Sequence, residues 1–236
     1  MFIALHTPRT AALLAMCLGA LVLPLSSVSA KEPAAPSAAS VAASVQSFYD
    51  QTKDLTARFD QVYVHKLYNR TERSQGQVVF KKPGKMRWDY ALPNGKVIVA
   101  GGDTLQIFEP GQQGEPNQLL VRDMEGAQLP SAMAFLTGTG RLEEDFSFRL
   151  LDVDHKVYPD GAVLELRPKK PTPHYDRIVF YVSAAAKTRG LVQRLVIIDG
   201  NGNRNRFDFT DLQFNSAVPE ERFQFSPPKG TRRVAL

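Results

Sequence analysis

Few residues in this chain have types and spacing suited to chemistry. Asp199-Gly-Asn-Gly-Asn-Arg-Asn begins with alternating oxygen-bearing side chains, as a calcium loop does. The sixth position of such a loop needs glycine and here holds Arg204. The twelfth needs a bidentate carboxylate and holds Thr210. Its flanks alternate like strands, so the segment reads as a hairpin turn. His65, His155 and His174 show no metal-ligand spacing, and no HExxH occurs. Nucleophile-elbow, phosphate-loop and dinucleotide-loop patterns are absent. Glu143, Glu144 and Asp145 beside Arg141 read as a solvated turn rather than an acid–base pair. The run from Arg167 to His174 is basic but broken by three prolines, and reads as a solvated loop. These residues point to no metal, no cofactor and no enzyme.

The elements that would position any site come in two periods. Val41, Val45 and Phe48, continued by Thr52 or Leu55, recur at steps of three and four and predict one amphipathic helix. From residue 55 the period falls to two. Strands are predicted over 57–66, 74–82, 85–91, 96–100, 104–109 and 118–123, then over 146–154, 162–167, 176–183, 191–199 and 204–214. Turn residues such as Pro93-Asn94-Gly95 and Pro159-Asp160-Gly161 separate most of them. This spacing predicts an antiparallel meander. One interruption, 129–138 (LPSAMAFLTG), reads as a short helix.

Several strands are apolar on both sides. Ile178, Phe180 and Val182 oppose Val179 and Tyr181; Leu195 and Ile197 oppose Val196 and Ile198; Leu105 and Ile107 oppose Phe108. A curved sheet wrapped round an interior and a two-layer sandwich both give this pattern.

The first thirty residues read as a secretory signal peptide. Arg9 precedes an apolar run over 11–25, and Val28 and Ala30 occupy the small-residue cleavage positions. Cys17 lies inside that run after Met16, a poor lipoprotein signal, so the remainder from about Lys31 to 236 is a single domain without cysteine. The whole chain has 236 residues, 43% of them apolar, and a net charge of +5. That is enough chain for one sizeable core, and bulk charge gives no sign of a nucleic-acid protein.

Residues 75–110, QGQVVFKKPGKMRWDYALPNGKVIVAGGDTLQIFEP, resemble the periplasmic lipoprotein carrier family, LolA. Gly76, Lys82-Pro83, Arg87-Trp88, Tyr90, Pro93, Gly102 with Leu105, and Pro110 carry the resemblance. Phe59-Asp-Gln61, Phe135-Leu136, Phe223-Gln-Phe225 and Pro227-Pro-Lys-Gly230 extend it in the family's order.

The resemblance implies an unclosed antiparallel β-barrel covered by a lid of helices, mainly β in class, enclosing a hydrophobic cavity. It implies a periplasmic chaperone, without cofactor and monomeric. Its partners would be acylated lipoproteins, an inner-membrane lipoprotein-releasing transporter and an outer-membrane lipoprotein receptor. Candidate lid residues are Val41, Val45, Phe48, Met133, Phe135 and Leu136. Candidate cavity residues are Phe59, Val79, Met86, Trp88, Ile107 and Phe108. Lys82 stands where the family often has an arginine that bonds the lid shut, and is the candidate latch. Two alternatives share the fold: an outer-membrane-anchored lipoprotein receptor and a periplasmic lipid or lipoprotein sensor.

Overall fold

The computed structural model describes residues 36–101, 103–112, 114–123, 140–151 and 156–235. The leader over 1–30 and the short helix expected over 129–138, with Met133, Phe135 and Leu136, lie outside these residues.

Helix α1 (Ala38–Gln51) starts where the Ser37 side chain accepts a hydrogen bond from the Ser40 N–H at 3.1 Å. It buries Val41, Ala42, Val45 and Tyr49, the stripe that the three-and-four spacing implies. It ends earlier than the spacing suggested. Thr52 is extended, and Leu55 already belongs to β1 (Asp54–His65).

β1 runs into β2 (Arg70–Lys81), β3 (Lys85–Tyr90), β4 (Val97–Gly101), β5 (Thr104–Glu109) and β6 (Gln118–Asp123). A single helical turn, α2 (Leu142–Asp145), precedes β7 (Phe146–Leu150) and β8 (Gly161–Pro168). β9 (Arg177–Ser183), β10 (Val192–Ile198), β11 (Arg204–Phe214), a 3₁₀ turn at Glu220–Phe223 and β12 (Arg232–Ala235) complete the order. α2 and β12 were not anticipated; the acidic run of α2 had been read as a turn.

Among the described residues, twelve strands form one sheet in the order β12-β6-β5-β4-β3-β2-β1-β11-β10-β9-β8-β7. Pairing is antiparallel except between β12 and β6. The sheet is an unclosed one, mainly β with few helices, as the resemblance implied. The segment at 199–203 is a hairpin turn: the Asp199 carboxylate accepts the N–H groups of Asn201 and Asn203, each at 2.9 Å.

The sheet curls toward the face that carries α1, here the inner face. β3 and β11 are three strand spacings apart, about 14 Å in a flat sheet. Yet the rings of Trp88 and Phe207 lie 5.2 Å apart, centroid to centroid. Gly76 on the intervening β2 makes the approach possible, since a Cβ there would sit 2.8 Å from the Phe59 ring and 2.1 Å from the Asp89 carbonyl oxygen.

Register sorts the side chains into two faces. Leu55, Ala57 and Phe59 of β1 point inward with Val78 and Phe80 of β2, Met86 and Trp88 of β3, and Leu164, Leu166, Ile178, Phe180, Leu195 and Phe207 beyond. Val79 and Phe108 do not join them. Val79 packs on the outer face with Val99, Val218 and Phe223, and Phe108 lies 5.4 Å from the Phe225 ring on that same face. Both had been expected at the cavity wall. Each follows a residue of the inner face, Val78 and Ile107, and a period of two sends neighbours to opposite sides.

Candidate functional site

The inner face changes character across the sheet. Over β7 to β11 it is sealed by α1: Val45 is fully buried, Tyr49 is buried, and the Phe48 ring meets the Phe214 ring edge-on at 5.2 Å. Close seating of the helix needs Gly190, which has φ +91° and whose added Cβ would meet the Ser44 carbonyl oxygen at 2.1 Å. Burial pushes the Tyr49 phenol well up, opposed by the Val192 N–H that donates to its oxygen at 3.4 Å.

In the middle of the face an aromatic cluster replaces the helix. Phe59 is edge-on to Trp88 at 4.9 Å and to Tyr90 at 5.0 Å, and Phe80 meets Trp88 at 5.8 Å. Beyond the buried Met86, Trp88 and Ala100, the inner face of β3 to β6 carries apolar residues that are only half-buried, Tyr90, Ile98, Leu105, Ile107 and Leu120, joined by Phe209 of β11. Burial pushes the Tyr90 phenol up to about 12, so it stays a neutral, mostly apolar ring at neutral pH.

Further along β1 and β2 the face turns polar. Gln61, Tyr63, Ser74, Tyr90, Asn94 and Asn205 line part of a pocket of about 250 Å³. Gln61 donates to the Asn205 side-chain oxygen at 2.8 Å, and Asn94 donates to the Ser74 hydroxyl at 3.2 Å.

Lys82 lies at the end of α1. Its ammonium donates to the carbonyl oxygen of Tyr49 and, at 3.4 Å, to that of Asp50. Those carbonyls form the negative end of the helix, where the Tyr49 oxygen also accepts the Thr52 N–H at 3.0 Å. Desolvation lowers the Lys82 pKa, and the nearby Asp50 carboxylate opposes the shift. The side chain therefore ties β2 to α1. A second tie runs from the α2 backbone: the Leu142 N–H donates to the Gln46 side-chain oxygen at 2.9 Å.

Of the residues singled out in the sequence, the structure brings Val41, Val45, Phe48, Phe59, Met86, Trp88 and Ile107 to the inner face and Lys82 to its helix. Phe207, Phe209, Tyr90, Ile98 and Leu105 share that face and were not among the cavity candidates, although Tyr90 and Leu105 carry the resemblance. The alternate aromatics Phe207 and Phe209 in a predicted strand were the available signal.

The profile of the protein family described as "Outer membrane lipoprotein carrier protein LolA" matches residues 50–226. An "Outer-membrane lipoprotein carrier protein" of Chromobacterium violaceum is 32% identical over 203 residues, 86% of this chain and 91% of that protein. Its counterpart in Cupriavidus necator is 31% identical over 200 residues, covering 83% and 88%. Among solved structures, a LolA superfamily protein from Nitrosomonas europaea is similar with a TM-score of 0.45 and 14% identity, over 81% of this chain and 99% of that one.

Proposed function

The chain belongs to the LolA family of outer-membrane lipoprotein carrier proteins, and from that premise we propose that it is a periplasmic chaperone for acylated lipoproteins. It takes their acyl chains on its inner face after release from an inner-membrane transporter and delivers them to an outer-membrane receptor. The leader over 1–30 directs export, and the working protein begins near Lys31 as one monomeric domain. The observation that carries this reading is the half-buried apolar band of Tyr90, Ile98, Leu105, Ile107, Leu120 and Phe209 beside a core that α1 seals.

The energetics favour a helix that can lift. Burying an acyl chain contributes about 0.8 kcal/mol per CH₂, on the order of 10 kcal/mol for one chain. A cavity that stood open would hold several chains too tightly to release. Val41, Val45 and Phe48 already fill part of the inner face, so admitting a ligand costs the contacts of α1 and offsets some of that gain. Lys82 sets the threshold by holding the last carbonyls of the helix. Met133, Phe135 and Leu136 are proposed to serve as the second half of the lid. The receptor then needs only a better affinity than the carrier offers.

The test is acyl-dependent release. Residues 31–236 are added to transporter vesicles loaded with an acylated lipoprotein, with a non-acylated version as control. A soluble one-to-one complex formed only with the acylated form is the expected result. No complex from a folded protein would overturn the carrier reading. Phe48→Glu, which places a charge under the helix, should abolish uptake, while Lys82→Ala should speed amide exchange in the last turn of α1.

A further inference from the structure

The β1–β2 ribbon is longer than the strand that covers its side. β1 pairs with β2 along all of Arg70–Lys81, but β3 pairs with it only over Gly76–Lys81. Residues 70–74, about 17 Å of strand, therefore have a strand neighbour on one side only. The Ala91 N–H donates to the Gln75 carbonyl oxygen at 2.8 Å, which shows which backbone groups face away from β1. By alternation, the N–H and C=O of Thr71 and Arg73 face the same open side, and among the described residues no hydrogen bond reaches them from there. A groove of about 1030 Å³, open to solvent, lies along this edge between Arg70, Glu72 and Arg73 and the exposed Ala91, Leu92 and Pro93.

This groove lies over the strand edge, with Asp60, Val62, Arg73, Gln75 and Arg206 on its outer side, and adjoins the polar pocket of the inner face. It shares Gln61, Glu72, Ser74 and Asn94 with the 250 Å³ polar pocket, and Tyr90 of that pocket touches Phe59 of the aromatic cluster. Apolar wall, polar pocket and free strand edge follow one another in a single path.

We propose that the free edge of β2 at Thr71 and Arg73 takes the extended N-terminal peptide of an acylated protein as an added strand. The inference rests on the acyl chains occupying the inner face. A lipid-anchored protein carries apolar chains, then ester and amide groups, then polypeptide, and the path offers matching surfaces in that sequence. Pairing through the main chain makes no demand on side chains, so one edge serves many cargoes. Arg70, ion-paired with Glu72 at 3.1 Å, and Arg73 keep the edge from pairing with free strands. A strand tethered by its acyl chains arrives at high effective concentration and pairs despite them. The polar pocket holds the ester and amide groups between.

The experiment compares two synthetic probes on residues 31–236. One is a triacylated cysteine carrying a short Ser/Asn-rich peptide; the other is the same triacylated cysteine as its methyl ester. Trp88, the single tryptophan of the chain, reports occupation of the inner face by its fluorescence. The peptide-bearing probe should bind about tenfold more tightly, the worth of one or two net hydrogen bonds. Amide exchange at Thr71 and Arg73 should slow with that probe only. Arg73→Pro removes a donor that faces away from β1, so it should cancel the tenfold gain and leave methyl-ester binding unchanged. Equal affinity for both probes, with unchanged exchange at Thr71 and Arg73, would overturn the proposal while leaving the carrier reading intact. If neither probe perturbs Trp88, the carrier reading fails and this inference falls with it. Exchange in the unsubstituted protein decides the matter even if the proline variant does not fold.

Discussion

The two halves of the outer face solve one problem differently. Over β2 to β6 the outer apolar residues Val79, Val99 and Phe108 are covered by the chain itself, through Val218, Phe223 and Phe225 of the segment that crosses from β11 to β12. Over β8 to β10, Val163, Val179 and Ile198 are buried under Tyr181 and Val196 of the sheet and a single ring from outside it, Tyr158 of the β7–β8 connection, which lies 5.5 Å from the Tyr181 ring. The rest of their cover is the side chains of the sheet itself. Arg194 lies 5.0 Å above the Tyr181 ring and is ion-paired with Asp208. Arg149, Arg167 and Arg177 converge on the buried Glu165 carboxylate. Long arginine stems can cover apolar floor while their heads stay wet. A strand that is apolar on both sides therefore does not by itself call for a second layer.

The comparison breaks most visibly at Phe223. Phe223→Ala removes the main anchor of the crossing segment and opens a cavity over Val79 and Val99. A loss of about 3 kcal/mol is expected, or roughly 6–12 °C in Tm for a chain of this size. Exchange should quicken in β12 and at 215–230 and stay slow in β8 to β10. A uniform loss of protection would show that the two halves are one cooperative unit. Glu165→Gln is the matching change on the other side. It keeps the shape but removes the charge on which three arginines converge, and should cost about 2 kcal/mol. Next comes Arg194→Ala, which strips the cover from Tyr181 and should cost about 1 kcal/mol, with increased binding of a hydrophobic dye as the readout.

These two halves also mark what the sequence made legible. The period of two located eleven of the strands, because side-chain alternation survives in local spacing. β12 escaped, since Arg232–Ala235 is short and its pairing with β6 is parallel and distant in the chain. The ambiguity between curved sheet and sandwich arose from strands such as β9 and β5, and spacing could not resolve it. What packs over Val179 is Tyr158 of the β7–β8 connection with side chains of neighbouring strands, and what covers Phe108 is a segment more than a hundred residues away. Val79 and Phe108 were assigned to the cavity for the same reason: a residue's face is set by register with its neighbours, not by its own apolarity. α1 was legible because its apolar stripe is local. The free edge of β2 was not, because it is a difference in length between paired strands.

The smallest effect is expected at Glu220, where charge rather than packing secures the crossing segment. Its carboxylate pairs with Lys81 at 2.8 Å and also with Lys85. Hydrogen bonds from these two lysines hold its pKa below the usual carboxylate range. A carboxyl whose pKa is lower in the folded than in the unfolded chain stabilises the fold above the ordinary carboxylate pKa. That contribution fades as pH falls through the lowered folded value. Acidification should therefore loosen 215–230 before it touches β8 to β10. Glu220→Gln should remove this difference between the halves and leave neutral-pH stability nearly unchanged, since the pair is half-exposed and screened. Exchange at 215–230 measured from neutral to acid pH in both proteins checks it. If Glu220→Gln leaves that pH dependence intact, apolar contact alone holds the segment, and the covered half differs from the open half only in what does the covering.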